Sequence, residues 1–275
     1  MYIKLKKLNS RDLAQCQKKG YFDEHLGILN SISEGKAFLY NNTYLIYHDP
    51  SRKKIDINFF GLNGNPGRLK CIMYLIKKFK PINILTASPK KLKSAIGNYR
   101  CMYTIIERDY HIDLKNFDEK LSGEKYKSIR SRVNTANDQG FELKISKKIT
   151  AAHLQLIGIH ITKRDYNEYE YPIFLSIPKF IEKSPTALLF NVFWNDMLVG
   201  FDVVDFLDNT LTTPYGFYLD NKSLPDFLMY KEIIYAKENK LDWFDVGWGC
   251  NSGVEKFKEI WNAFPRFKIY LQEYT

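Results

Sequence analysis

From Phe141 onward the apolar positions recur with two periods, alternation for strands and a spacing of three to four for helices. A short strand from Phe141 to Ile145 follows Gly140, and a helix starts near Thr150 with Leu154, Ile157 and Ile161 along one face. A second helix follows Pro172 through Phe180 and Ile181. Three β-rich runs come next, at 187–194, 198–207 and 211–219, joined by Asn195-Asp196 and Asp208-Asn209. Two-residue joints of that type make hairpins, so the three runs form an antiparallel meander. A helix after Ser223 and Pro225 carries Met229, Ile233 and Ala236 on one face and ends near Asn239. The compact strand Trp243 to Val246 is closed by Gly247 and Gly249. A helix with Val254, Phe257, Ile260 and Trp261 and a last strand from Phe267 to Leu271 complete the order β-α-α-β-β-β-α-β-α-β.

The first half repeats that order more faintly. It reads as a strand at 2–5, a helix from Ser10, three short strands between Ala37 and Phe60, and a helix with Leu69, Ile72, Met73 and Ile76. A strand at 82–86, a helix from Pro89 and a strand at 102–106 follow. Ile72-Met73-Tyr74 and Leu228-Met229-Tyr230 open matching helices. A basic helix at 124–139, with Tyr126, Ile129, Val133 and Ala136 on one face, joins the halves. The chain is therefore expected to be α/β (α+β), with domains at 1–115 and 116–275, each a mixed, mainly antiparallel sheet flanked by helices.

Composition narrows this picture. Of the 275 residues, 45% are apolar and 15% aromatic, enough for packed cores and too much for a disordered chain. No run approaches the roughly 18 apolar residues that cross a bilayer, and MYIKLKKLNSRDL has no apolar signal core, so a cytoplasmic protein is expected. Four cysteines without a CxxC pair suggest neither a disulfide framework nor a zinc site. The formal charge of +10 would gather anionic partners such as nucleic acid, phospholipid or coenzyme A, although a Lys-rich composition alone also produces it.

Two segments carry a family resemblance. ERDYHIDLKNFDEKLSGEKYKSIRSRVNTANDQGFEL resembles the joining segment of tandem-GNAT proteins related to the C-terminal domain of phosphatidylglycerol lysyltransferases. FLMYKEIIYAKENKLDWFDVGWGCNSGVEKFKEIWNAFP is similar to the tail of Fem-type and BioF2-like acyltransferases, matching at Asp245, Gly247, Phe257, Lys258, Trp261 and Ala263. The resemblance implies two tandem GNAT-like domains. It further implies an N-acyltransferase moving an acyl group from acyl-CoA, acetyl-CoA included, to an amine of a small molecule, lipid or peptide. Two alternatives come with it: an aminoacyl-tRNA-dependent transferase of Fem or phosphatidylglycerol lysyltransferase type, and a catalytically inactive protein that binds an anion. GNAT enzymes carry a glycine-rich loop before the helix that receives the CoA pyrophosphate. Here that position reads DNKSLPDF, without glycine, as Fem-type chains also depart.

The chemistry needs a base for the amine, a proton for the leaving group, and a cleft between 211–219 and 242–247 that accepts a thioester or ester arm. Asp202 and Asp205 lie on opposite faces of one strand by alternation, and Asp202 is the candidate base. Tyr215 and Tyr218 are the candidate proton donors. Lys222, Ser223 and the amide near Leu224 are placed to hold a donor phosphate at a helix start, where a simple N-cap is an equal reading. Asp245 and Lys258 are donor-side candidates through the resemblance, with a helix cap and a solvated lysine as the plain alternatives. Lys125, Lys127, Arg130 and Arg132 suit acceptor or tRNA phosphates. Tyr169, in the alternating acid and aromatic run 165–171, suits a cationic amine. The loop Gly61-Leu-Asn-Gly64-Asn-Pro-Gly67-Arg68 lacks the Gly-Lys-Ser/Thr of a phosphate loop and reads as a turn. His153 and His160 are two helical turns apart, about 10 Å, so they share no metal ion, and no metal site is expected. The second domain is expected to hold the donor, with the acceptor entering at the seam; peripheral membrane contact is compatible with the charge.

Overall fold

The computed structural model describes residues 5–7, 37–40, 44–49, 54–59, 68–88, 90–163, 171–207, 209–249 and 251–275. The expected helix from Ser10, the 61–67 loop, Tyr169 with the rest of 164–170, and Cys16 and Cys250 lie outside them. The chain forms two compact units: residues 1–109 together with 266–275, and residues 110–265.

In the first unit, β1 (Leu5–Lys7), β2 (Ala37–Tyr40), β3 (Tyr44–Asp49) and β4 (Lys54–Phe59) pair antiparallel in succession. Helix α1 (Arg68–Phe79) then crosses to β5 (Asn83–Ser88), which runs parallel to β4. Ile55, Ile57, Ile72, Leu75 and Ile84 meet in its core. No helix forms after Pro89. Lys90, Lys91 and Lys93 leave Leu92 as the lone apolar residue of that stretch, too little to hold a helix on a core. Instead β6 (Ala95–Ile96) turns through Gly97, at φ +62°, into the long strand β7 (Tyr99–Asp113). The expected strand at 102–106 is the middle of β7.

The second unit begins within β7. A 3-10 turn (Glu124–Tyr126) leads into α2 (Lys127–Asp138), which corresponds to the expected basic helix. Then come β8 (Glu142–Ser146), α3 (Ala151–Lys163), α4 (Tyr171–Lys183), and the meander β9 (Leu188–Trp194), β10 (Met197–Leu207) and β11 (Thr210–Tyr218). Asn195 and Asp196 at φ 47° and 61° make the twisted two-residue turn that joins β9 to β10. Helix α5 (Leu224–Glu238), β12 (Trp243–Trp248), α6 (Ser252–Ile260) and β13 (Phe264–Tyr274) follow.

Apolar faces explain the layers. Ile129, Val133 and Ala136 of α2 pack with Phe227, Leu228 and Ile233 of α5 against Phe190, Val204, Leu211 and Phe244 of the sheet. On the opposite face, Phe174 of α4 meets Phe217 edge to face. Phe217 also stacks on Phe201 with ring centroids 4.9 Å apart, worth about 1 kcal/mol beyond the area it hides. Arg132 of α2 forms an ion pair with the buried Asp226, which also accepts from the Trp261 indole at 3.0 Å.

One register positions everything that follows. Strands β11 and β12 run parallel through Thr210↔Trp243, Leu211↔Phe244 and Thr212↔Asp245, and the described pairing stops there. From Thr213 to Tyr218 the strand goes on without β12 as a partner. The matching strands of the first unit, β4 and β5, stay paired from Lys54↔Asn83 to Asn58↔Ala87.

Candidate active site

The gap between β11 and β12 holds a cavity of about 140 Å³ lined by Asp202, Thr213, Gly216, Tyr218, Glu232 and Lys258, among others. It shares Gly216, Tyr218 and Pro225 with a wider cleft of about 580 Å³, whose walls include His160, Lys163, Asp220, Asn221 and Lys222. The smaller space is thus the inner end of the larger.

The inner end is acidic. Asp202 of β10 sits opposite Gly216 of β11, and the Tyr218 hydroxyl donates to Asp202 Oδ1. The phenol lies across its own strand because two glycines make room. A Cβ on Gly216 would collide with Tyr218 Oη and Asp202 Oδ1 and lie 2.6 Å from Tyr218 Cζ; one on Gly200 would lie 3.0 Å from Tyr218 Cδ1. Glu232, from the turn of α5 that covers this face, brings a second carboxyl against Asp202. Asp202 and Glu232 are only 2% and 1% exposed.

Burial decides their protonation. Desolvation pushes the Asp202 carboxyl up to about 7, partly opposed by the Tyr218 hydrogen bond. Glu232 is raised well above the ordinary carboxylate range by burial and then by the neighbouring Asp202 charge. Two carboxyls so close cannot both ionise, so near neutrality the pair keeps a proton. The same burial and the same charges lift the Tyr218 phenol well above 10, leaving it a hydrogen donor at every physiological pH.

Lys258 of α6 is buried, with Nζ donating to the Trp248 carbonyl at 2.6 Å and lying 5.8 Å from the Tyr110 ring centroid. It brings a positive charge to the wall of the acidic cavity rather than to solvent. Val246, next to Asp245, lines the same wall. Asp245 itself turns away from both cavities: its Oδ1 accepts from the Gly247 amide at 2.8 Å and lies 3.8 Å from His111 Nε2.

The remaining candidates separate from this cluster. Tyr215 faces α4, where its ring meets Phe174 at 5.6 Å, so the sheet stands between it and Asp202. Asp205 is held near the Phe206 amide, and burial pushes its carboxyl up to about 6. Lys222 lines the cleft. Ser223 and Leu224 do not offer their amides there: Ser223 N donates to Asn221 Oδ1 at 2.8 Å, Leu224 N to Asn221 O at 3.3 Å, and Pro225 has no N–H. Leu224 is a core residue instead.

The basic helix spends its charges on the protein. Arg130 donates to the Leu121 and Gly123 carbonyls, Arg132 to Asp226, Lys125 to Asn262, and Lys127 pairs with Glu124 at 3.0 Å. None of the four lines either cavity. His153 is likewise satisfied, bonding Asn191 Oδ1 at 2.7 Å, and burial lowers its pKa.

Glu232 is the residue that pattern reading passes over. It lies three positions after Met229 and one before Ile233, so an acid on an apolar face was its only signal. Lys163 and Asp220, 2.7 Å apart at the cleft wall, gave none.

No protein-family model and no curated protein matches the sequence. Solved structures do. The C-terminal domain (DUF2156) of a putative lysylphosphatidylglycerol synthetase from Agrobacterium fabrum is similar over 97% of this chain and 92% of its own, at 12% identity and a TM-score of 0.65. FemX is similar over 97% and 96%, at 12% identity and 0.62. A tandem GNAT protein from the clavulanic acid biosynthesis pathway is similar over 100% and 98%, at 8% identity and 0.58. Among the described residues no helix is long and apolar enough to cross a membrane. The strand order and these likenesses agree: the chain has a GNAT-like fold.

Proposed function

We propose that the protein is an N-acyltransferase whose second unit receives the acyl donor in the gap between β11 and β12. The observation that carries this reading is the parting of those strands beyond Thr212 and Asp245, with Asp202, Tyr218 and Glu232 gathered at its inner end. A planar acyl group can enter where ladder bonds are missing, because the unpaired strand edge supplies N–H and C=O partners.

The cluster can move the required protons. The attacking nitrogen of the acceptor amine forms a bond to the acyl carbon and must shed a proton. A carboxyl pair titrating near neutrality accepts it. Collapse of the tetrahedral species breaks the bond from carbon to the leaving sulfur or oxygen, which takes a proton from the Tyr218 phenol. The protonated Asp202, already hydrogen-bonded to that phenol, returns one to it. Atoms and charges then balance as amide plus free thiol or alcohol. Acyl-CoA is the first donor to test.

One observation favours the second donor, an aminoacyl-tRNA. The first amides of α5 are already taken by Asn221 or lost to Pro225, so the usual helix-start cradle for a CoA pyrophosphate is not on offer. Lys163 and Lys222 at the cleft wall would meet phosphates of either donor through side chains. Separate titrations with acetyl-CoA and with charged tRNA distinguish the readings. Saturable CoA binding that Tyr218→Phe leaves intact while slowing amide formation supports the first. Salt-sensitive tRNA binding with transfer of the aminoacyl group supports the second. Absence of both refutes transferase function and leaves an inactive anion-binding protein.

A further inference from the structure

We propose that the inner cavity selects a short acyl group bearing a hydroxyl, which Glu232 and Thr213 recognise between them. The inference rests on the reading that the acyl donor enters the gap between β11 and β12. Both side chains line the cavity, and among the described residues neither Glu232 Oε1 nor Thr213 Oγ1, each a buried atom, has a hydrogen-bond partner. A buried oxygen left without a hydrogen bond is costly, and a group of the substrate can supply what the protein does not. The Thr213 hydroxyl is near enough to be felt: burial and then the Asp202 charge raise the Glu232 carboxyl, and Thr213 draws it part of the way back. An irregularity in β11 turns Thr213 to this side. Val203 pairs with Tyr215 and Asp205 with Thr212, so Thr213 and Pro214 together oppose Val204 alone. Such a bulge shifts the alternation by one residue. Thr213 therefore shares the α5 face with Leu211 before the bulge and with Gly216 and Tyr218 after it. In a regular strand Thr213 and Gly216 would point to opposite faces.

Volume and charge define the group. The cavity of about 140 Å³, with Met229, Val246 and Phe257 on its apolar side, has room for an acyl chain of roughly six heavy atoms, since an apolar cavity of about 150 Å³ takes up benzene. The carboxyls of Asp202 and Glu232 oppose a carboxylate on that chain, and Lys258, at the same wall, opposes an ammonium. A hydroxyl carries no charge and meets both orphaned atoms at once. Its O–H donates to Glu232 Oε1 while its oxygen accepts from the Thr213 hydroxyl. Tyr218 and Asp202, bonded to each other, are left for the chemistry at the acyl carbon.

N-acetylcysteamine thioesters of propionic, 2-hydroxypropionic, 3-hydroxypropionic, 3-aminopropionic and malonic acids test this on the whole protein, with hydroxylamine in place of the acceptor amine. They carry the phosphates of neither CoA nor tRNA, so the acyl groups alone are compared. Calorimetry reads binding, and hydroxamate formation above the protein-free rate reads transfer. One hydroxypropionyl thioester should bind and react about tenfold or more better than the propionyl one, with the amino and malonyl forms no better than propionyl. Thr213→Val keeps the shape and removes the hydroxyl, and should bring that ratio to within about threefold of unity, whereas Thr213→Ser should retain it. Should Thr213→Val fail to fold, the wild-type ratio still decides. Equal use of propionyl and hydroxypropionyl, a preference for the amino or malonyl form, or a hydroxyl preference that a folded Thr213→Val keeps overturns the proposal. Hydroxyl-selective binding without hydroxamate upholds the selection and refutes the transferase reading, transfer without selection does the reverse, and neither binding nor transfer overturns both.

Discussion

Replacing both buried acids, Asp202→Asn with Glu232→Gln, keeps their shapes and removes the group that titrates. In the folded protein the carboxyls are raised by burial, Asp202 to about 7, whereas their unfolded values are the ordinary 3.8 and 4.5. Raised acids contribute stability at low pH and lose it as pH rises through the folded value. Between pH 5 and 7 the unfolded chain has released most of both protons, while the native pair still holds at least one. Each proton so held lowers the unfolding free energy by about 1.4 kcal/mol per pH unit, so the pair costs at least about 3 kcal/mol across that window. Asp205, raised to about 6, acts in the same direction, and His153, lowered, in the opposite one, but both remain in the variant. Urea unfolding at pH 5, 6 and 7 with a constant m value reads the difference. The stability of the variant relative to the wild type should rise steadily from pH 5 to pH 7, by about 3 kcal/mol or more. Parallel curves for the two proteins would refute proton sharing between Asp202 and Glu232.

Other outcomes follow from the same geometry. Gly216→Ala drives a methyl into Tyr218 and Asp202 and should cost about 1 to 3 kcal/mol by thermal unfolding, with the cavity distorted. Tyr218→Phe should slow amide formation by roughly a hundredfold or more, while Tyr215→Phe, on the far face, leaves the rate within about twofold. Comparable losses in the two would show that the phenol donor is misassigned. Arg132→Ala leaves the buried Asp226 with the Trp261 indole alone and should destabilise by about 2 to 3 kcal/mol, without changing the salt dependence of tRNA binding. A fall in that salt slope would instead place a phosphate on Arg132.

The second unit was readable where local chemistry dictates structure. Asn195-Asp196 can only be a tight turn, and Pro225 can only open a helix, so the meander and the crossover after it were legible in order and almost to the residue. Asp202 and Tyr218 could be named as candidates, but their meeting depends on Gly200 and Gly216 lying where a ring must cross. That is a property of register, which no single strand reveals. The arginines of α2 show the converse. A charge run looks the same whether it faces a phosphate or, as here, the Leu121 carbonyl and Asp226. In the first half, Pro89 suggested a helix start, but the apolar partners that would hold a helix there are missing. The end of pairing at Thr212 is a further long-range effect, since the strand itself runs on to Tyr218.

The last strand has a temporal consequence. Residues Tyr270 to Tyr274 bind antiparallel to Ile84–Ser88, and the Tyr274 side chain is sealed among Ile55, Ile84 and Ile96. A nascent chain that has been made only as far as residue 109 therefore carries an open ladder edge and a hole the size of a tyrosine. It stays that way while the ribosome makes the whole of the other unit. Chain order and completion order therefore differ: the unit begun earlier is completed only after the other has been made, and its ladder edge stays bare in between.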